Sequence, residues 1–228
     1  MGNLKVAIDG PAGAGKSSIS KKIAEKTGFL YIDTGAMYRC VGLYAINQKI
    51  DVKNNKKDLI FCLKYIKIRL VHTEHGQRVL LNGEDVTERI RKEDVSMAAS
   101  AVAVIPEVRL MLVDLQREIA ADENVIMDGR DIGTYVLPDA QLKIYLTASS
   151  EQRALRRWKE IQEKGMDADL EQIRIDIEKR DKNDMEREFA PLRKADDAVE
   201  IDTSRLSFEE SEAVIYELVQ RAAEQCRA

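Results

Sequence analysis

Apolar residues recur along the chain with two periods. Leu4 to Ile8 is a short apolar run broken by Lys5, the pattern of a buried strand, and Lys16 to Thr27 carries Ile19, Ile23 and Ala24 at helical spacing before Gly28 as a stop. Phe29 to Ile32 predicts a second strand and Met37 to Ile46 a second helix, while Asn47 to Asp58 is polar, has little periodicity and predicts a connector. Between Tyr65 and Val86 the pattern alternates, with Ile66, Ile68 and Leu70 on one run and Val79 and Leu81 on the next. This predicts a small antiparallel insertion turning near Gly76. Helical spacing resumes over Asp94 to Val104 and over Pro106 to Ala121, where Pro106 suits the first helical position.

Asn124 to Met127 and Gln141 to Thr147 read as further strands on either side of a Gly-rich loop, Asp128 to Gly133. A helix follows from Ser149, with Gln152 as its capping partner, and Val199 to Ile201 predicts a last strand. Ser207 with Glu210 forms a capping box before a C-terminal helix carrying Phe208, Val214, Ile215, Leu218 and Val219. Strands alternating with helices predict a three-layer α/β fold with a parallel central sheet, and such folds bind ligands beyond the carboxyl ends of their strands. The loops at Gly10, Asp33 and Asp128 fall there.

At 228 residues the chain can bury roughly 70% of its unfolded surface without a covalent staple. Its 36 basic and 40 acidic residues, net −4, offer no global attraction to nucleic acid or to an anionic membrane, so a bound anion must meet a local cluster. Cys40, Cys62 and Cys226 are odd in number and widely spaced, which suggests a reducing compartment and no zinc site. Neither a signal peptide nor a membrane span is expected, and the reading is of a cytoplasmic protein.

The residues Gly10, Pro11, Ala12, Gly13, Ala14, Gly15, Lys16 and Ser17 meet the phosphate-loop pattern, with a strand before and a helix after. Small residues let backbone N–H groups turn toward phosphate oxygens, Lys16 reaches the outer phosphates, and Ser17 can ligate Mg²⁺. Asp128, at the end of an apolar strand, is the second candidate for the metal, and Arg130 and Asp131 beside it can address a second ligand. After the second strand, Thr34, Tyr38 and Arg39 face the same crevice.

Arg153 and Arg157 lie four apart on one helical face, and Arg180, Asp184 and Arg187 follow at spacings of four and three. Because residues 151–194 contain 12 basic and 12 acidic side chains, an ordinary salt-bridged surface would also account for them. Asn55-Lys56-Lys57-Asp58 matches the guanine-recognition pattern of GTPases and raises a nucleotide-dependent switch as the rival reading. That pattern would be expected after the Mg²⁺-associated Asp but precedes Asp128, so it reads as a solvated charge run. His72 and His75 have HxxH spacing with no third ligand nearby.

Five blocks in order, IDGPAGAGKSS, DTGAMYR, DGRDIGT, ALRRW and KRDKND followed by Arg187, resemble the bacterial cytidylate kinase family across nearly the whole chain. The resemblance implies a P-loop NTPase fold over residues 1–228, with a nucleoside-monophosphate-binding region at 34–105 that carries the β insertion and a lid-like helical region at 149–190. It implies a monomer that transfers phosphate from ATP to CMP or dCMP with Mg²⁺, UMP being a poorer acceptor, and without nucleic-acid or membrane partners. ATP phosphates go to the loop from Gly10 to Ser18, the CMP phosphate to Arg39, Arg130 and Arg180, and the lid to Arg153 and Arg157. The base goes to Thr34, Ser100, Arg109, Asp131 and Arg187, and the ribose to Asp184 with Tyr38; beyond the resemblance, Arg109 is expected to orient Asp131. Thr34 stands where the family commonly has serine, and Ser18 where many members have threonine. A P-loop kinase for another small acceptor is the remaining alternative.

Overall fold

The computed structural model describes residues 2–73, 76–163 and 165–227. By its contacts the chain divides into two compact units, one formed by Met1–Tyr31 with Ala120–Ala228 and the other by Ile32–Ile119.

The first unit holds a parallel sheet built from β1 (Lys5–Asp9), β6 (Val125–Gly129), β7 (Leu142–Thr147) and β8 (Val199–Asp202), with β1 between β6 and β7. β2 (Leu30–Asp33), through which the chain leaves this unit, completes the strand order β2-β6-β1-β7-β8. On one face Val6, Ile8, Ile126, Ile144 and Leu146 pack against Ile19 and Ile23 of α1 (Lys16–Thr27) and Ile215 and Val219 of α8 (Phe208–Arg227). These positions alternate along each strand, as a face with period two must. The capping box of α8 is formed, Ser207 N–H donating to Glu210 Oε2 at 2.8 Å and Glu210 N–H to Ser207 Oγ at 3.1 Å. α6 (Ser150–Glu163) and α7 (Leu170–Glu186) pack on each other, and Ser149 Oγ accepts from Gln152 N–H at 3.3 Å.

The second unit packs α2 (Thr34–Asn47) against α4 (Glu93–Val102), with α5 (Pro106–Ile119) beside α2 and Pro106 in its first position. Gly42 lets α2 and α4 touch, since a Cβ there would stand 2.8 Å from the Ala99 nitrogen. The alternating segment forms β3 (Ile68–Thr73), β4 (Gly76–Leu81) and the two-residue β5 (Glu84–Asp85), antiparallel in that order. Leu70 lies opposite Val79 and Ile68 opposite Leu81. Among the described residues no single helix is long and apolar enough to cross a membrane.

Three expectations are corrected. The polar connector ends in a short helix, α3 (Lys56–Cys62), which buries only Leu59 and therefore carries no apolar stripe to betray it. The side chains of Asn55 and Asp58 close its first turn, which agrees with the solvated reading of that motif. The segment after Asp128 is not a plain loop, because Asp128 and Gly129 complete β6 and Ile132–Val136 closes a π-helical turn. Helix α2 begins at Thr34, not Met37, because Asp33 caps it by accepting from Ala36 N–H at 2.9 Å. The HxxH pair falls partly outside the described residues, at His75.

Gly42→Val would drive a branched side chain into the backbone of α4. A destabilisation of about 1–3 kcal/mol is expected, read as a lower midpoint in urea unfolding.

Candidate active site

Parallel pairing sets Ile8 opposite Asp128 and Asp9 opposite Gly129, so the phosphate loop leaves β1 beside the end of β6. Gly10 follows directly, with φ at 147°; a Cβ there would lie 1.9 Å from the Leu146 carbonyl oxygen of β7. No other residue tolerates both. At the loop's far end Gly15, in the left-handed region, opens α1 and aims its first N–H groups back into the loop.

Asp128 shares a sheet face with Ile8, the face α1 covers, and Ser17 Oγ of α1 donates to Asp128 Oδ2 at 2.7 Å. Tyr31 O–H donates to the other carboxylate oxygen at 2.9 Å. Lys16 is buried, and its Nζ donates to the Pro11 carbonyl at 2.7 Å. Burial and the Arg130 guanidinium push its ammonium well below the usual lysine value, against the pull of Asp128, Asp9 and Asp184.

Arg130 Nε donates to Asp184 Oδ2 at 2.8 Å, which joins the end of β6 to α7. Burial opposes charge on both partners. For Arg130 the surrounding Asp184, Asp128 and Asp181 outweigh it and raise its pKa. For Asp184, Arg130, Arg180 and Arg187 outweigh it, and its carboxyl stays below the ordinary range. Arg187 pairs with Asp131 at 3.2 Å, both side chains 6% exposed, so Asp131 has a cationic partner within its own unit.

The four-residue spacing of Arg153 and Arg157 does not give them the same surroundings. Arg153 is 7% exposed; it donates to the Ala148 and Ala12 carbonyls at 2.9 Å each and pairs with Asp181 at 2.6 Å. Asp181 in turn accepts from Ala12 N–H at 3.4 Å, so the pair grips both ends of one phosphate-loop residue. Arg157, 49% exposed, pairs with Glu160 at 3.1 Å.

In the second unit Thr34 is buried, Tyr38 and Arg39 are half-buried and Ser100 is exposed, its Oγ donating to Ser96 C=O at 3.3 Å. Arg109 is fully buried on α5, donates to the Ala103 carbonyl at 3.2 Å and stacks over the Tyr38 ring at 5.5 Å.

Two residues of the first unit's network escaped the sequence reading. Asp181 stands inside KRDKND beside residues that were singled out, and Asp9 is the polar end of an apolar strand. Asp9 is buried, and its two carboxylate oxygens accept from Ile132 N–H at 2.8 Å and Gly133 N–H at 2.7 Å. Burial pushes its pKa up to about 6 against the pull of those two bonds.

Mg²⁺ takes oxygen ligands and commonly only one or two protein groups beside phosphates and water. Ser17 and Asp128 fit that demand as adjacent oxygen donors. Among the described residues no cluster of three His, Cys, Asp or Glu side chains is arranged to hold a metal unaided.

The Cytidylate kinase family model matches residues 6–223. A cytidylate kinase of Caldicellulosiruptor bescii is 53% identical over 218 residues, 96% of each chain, and one of a Geobacillus species is 52% identical over 217 residues, covering 95% of this chain and 96% of that protein. Among solved structures, an uncharacterised protein from Eubacterium ventriosum superposes with a TM-score of 0.50 at 13% identity, over 96% of this chain and 99% of its own, a likeness of fold.

Asp181→Ala would leave Arg153 buried without its counter-charge. A loss of about 3–5 kcal/mol in unfolding free energy is expected, together with a raised KM for ATP through a loosened Ala12; unchanged stability and ATP KM would remove the clamp from the account.

Proposed function

The chain belongs to the cytidylate kinase family, and from that premise we propose that it transfers the γ-phosphoryl group of ATP to CMP and dCMP, giving ADP and CDP or dCDP, with UMP a poorer acceptor. The observation that carries the proposal is the junction of the phosphate loop with the end of β6, where Lys16, the Ser17–Asp128 pair and the Arg130–Asp184 pair lie within one unit. ATP phosphates bind along Gly10 to Ser18. Arg39, Arg130 and Arg180 hold the acceptor phosphate, and Asp184, with Tyr38, holds its ribose. Thr34, Ser100, Arg109, Asp131 and Arg187 read the base, and Arg153 and Arg157 serve as lid arginines.

The acceptor needs no dedicated base, because the second pKa of a phosphate monoester is ~6 and near neutrality the attacking oxygen is already ionised. Bringing two polyanions into line is the obstacle, and positioning with charge neutralisation is the means. An arriving polyphosphate counters what lowers the Lys16 pKa, since its negative charge favours the ammonium. Arg130 meets the acceptor phosphate already oriented by Asp184. Mg²⁺, held by Ser17 and Asp128 when bound, supplies further charge stabilisation at the phosphates. A lid carrying Arg157 keeps water from accepting the phosphoryl group.

The accompanying proposals are a single kinase domain over 1–228, with the acceptor region at 34–105 and the lid at 149–190, acting as a cytoplasmic monomer without nucleic-acid or membrane partners. The second unit, Ile32–Ile119, spans the first of those regions in sequence, and a net charge of −4 offers no global attraction to nucleic acid or an anionic membrane. A coupled assay over a panel of nucleoside monophosphates tests the whole reading. Preference for CMP and dCMP is the expected result, and preference for any other acceptor would overturn it.

Lys16→Ala is expected to lower turnover by on the order of 10² or more while circular dichroism stays native, since the side chain serves phosphate charge. Retention of about a tenth of turnover would displace the loop from its role. Cytosine presents an exocyclic amine where uracil presents a carbonyl, and an ionised Asp131 can only accept. Asp131→Ala should therefore cost CMP more than UMP, by ~1–3 kcal/mol in kcat/KM discrimination; equal losses would return Asp131 to a structural role.

A further inference from the structure

We propose that Asp9 is a positioning residue for acceptor recognition: its carboxylate takes over the capping of the π-helical turn, which releases Asp131, the residue at the turn's N-cap, to face its ligand. An Asp at an N-cap ordinarily turns its side chain back onto the first N–H groups of its own helix. Asp131 occupies that position and makes no such bond, and its carboxylate pairs with Arg187 instead. Of the donors such a cap would take, at the second and third helical positions, Gly133 N–H goes to one oxygen of Asp9, whose other oxygen takes Ile132 N–H at the first position.

The alternation of β1 makes this possible. Ile8 points to the face packed by α1 and α8, so Asp9 points to the other, where the turn lies. The peptide unit joining Asp131 to Ile132 is thereby fixed at both ends. Its carbonyl accepts from Tyr135 N–H at 2.9 Å and Val136 N–H at 3.1 Å, and its N–H donates to Asp9. Arg130 and Asp131 immediately precede that unit, and displacements of about 1 Å at such groups cost on the order of 10² in rate. A carboxyl raised to about 6 by burial is an expensive cap, as expected where the local Asp is needed elsewhere.

The proposal rests on the reading of Asp131 as a base-recognition residue, and its test separates the two. In Asp9→Asn the amide oxygen can take one N–H, but its NH₂ faces the other donor to donor. Hydrogen exchange and steady-state kinetics of the full chain, beside Asp131→Ala as reference, are the measurements. The Ile132 and Gly133 amides should exchange roughly tenfold faster while β1 amides stay protected. The CMP to UMP ratio of kcat/KM should fall roughly fivefold or more, with the KM for ATP within about twofold of the parent.

Unchanged exchange at Ile132 and Gly133, an unchanged ratio where Asp131→Ala alters it, or an equal loss for both acceptors with a raised ATP KM would each overturn the proposal. If Asp131→Ala itself leaves the ratio unchanged, the Asp131 reading has failed. The role of Asp9 is then decided by the KM for CMP, a rise at constant ATP KM supporting it and no change overturning it. Asp9→Ser carries the same measurements if Asp9→Asn does not fold, and failure of both to fold assigns Asp9 to the core alone and overturns the proposal.

Discussion

In the parallel pairing of β1 with β6, Ile8 stands opposite Asp128 and Asp9 opposite Gly129, and this register decides which charge serves which face of the sheet. Asp128 falls on the side that α1 covers and meets Ser17 and Tyr31. Asp9, one residue later on its own strand, falls on the other side and meets the turn that follows β6. A slip of one residue would exchange the two faces and put each carboxylate against apolar packing. The close approach at Gly10, whose absent Cβ makes room for the Leu146 carbonyl, ties the same arrangement to β7.

The register brings together charges that could not be buried singly. Asp9 relies on two backbone donors, Asp128 on two hydroxyls, and Asp131, Asp181 and Asp184 each on an arginine. Removing one partner strands the other in a poorly solvated place, which costs more than the pair contributes. Arginine suits these positions because its planar fork can hold a carboxylate and a carbonyl at once, as Arg153 does with Asp181 and Ala12. Within the chain Lys16 already donates to the Pro11 carbonyl and Arg130 to Asp184, so both cations are held by its own acceptors.

Much of this was legible in the sequence where the signal was local. The phosphate loop announced itself through Gly spacing between a strand and a helix, and the insertion through its alternation between Ile66 and Leu81. The parallel sheet followed from the order of elements. What stayed hidden depended on partners far along the chain. Periodicity put Arg153 and Arg157 on one helical face, but only the fold shows that the first meets Ala12 and Asp181 while the second, a turn later, reaches solvent. Asp9 looked like the polar end of a strand, because its two donors lie more than 120 residues away. The helix α3 buries a single side chain, Leu59, and an element with one buried position has no period to read.

The acidic and basic residues of α7 and its end gain meaning once their partners are known. Asp181 and Asp184 stand three apart, on neighbouring positions of one helical face, and Arg187, three later, is the extended residue that caps the helix. The first holds Ala12 of the phosphate loop, the second Arg130, the third Asp131. The helix and its C-cap together therefore touch both the phosphate loop and the end of β6 with the turn after it. A displacement of α7 strains the Asp181 and Asp184 contacts together, because both lie on one rigid helix, while Arg187 follows at its end. The phosphate loop and the residues at the end of β6 are thus tied to one segment, by two ion-pairing side chains on α7 and a third at its C-cap.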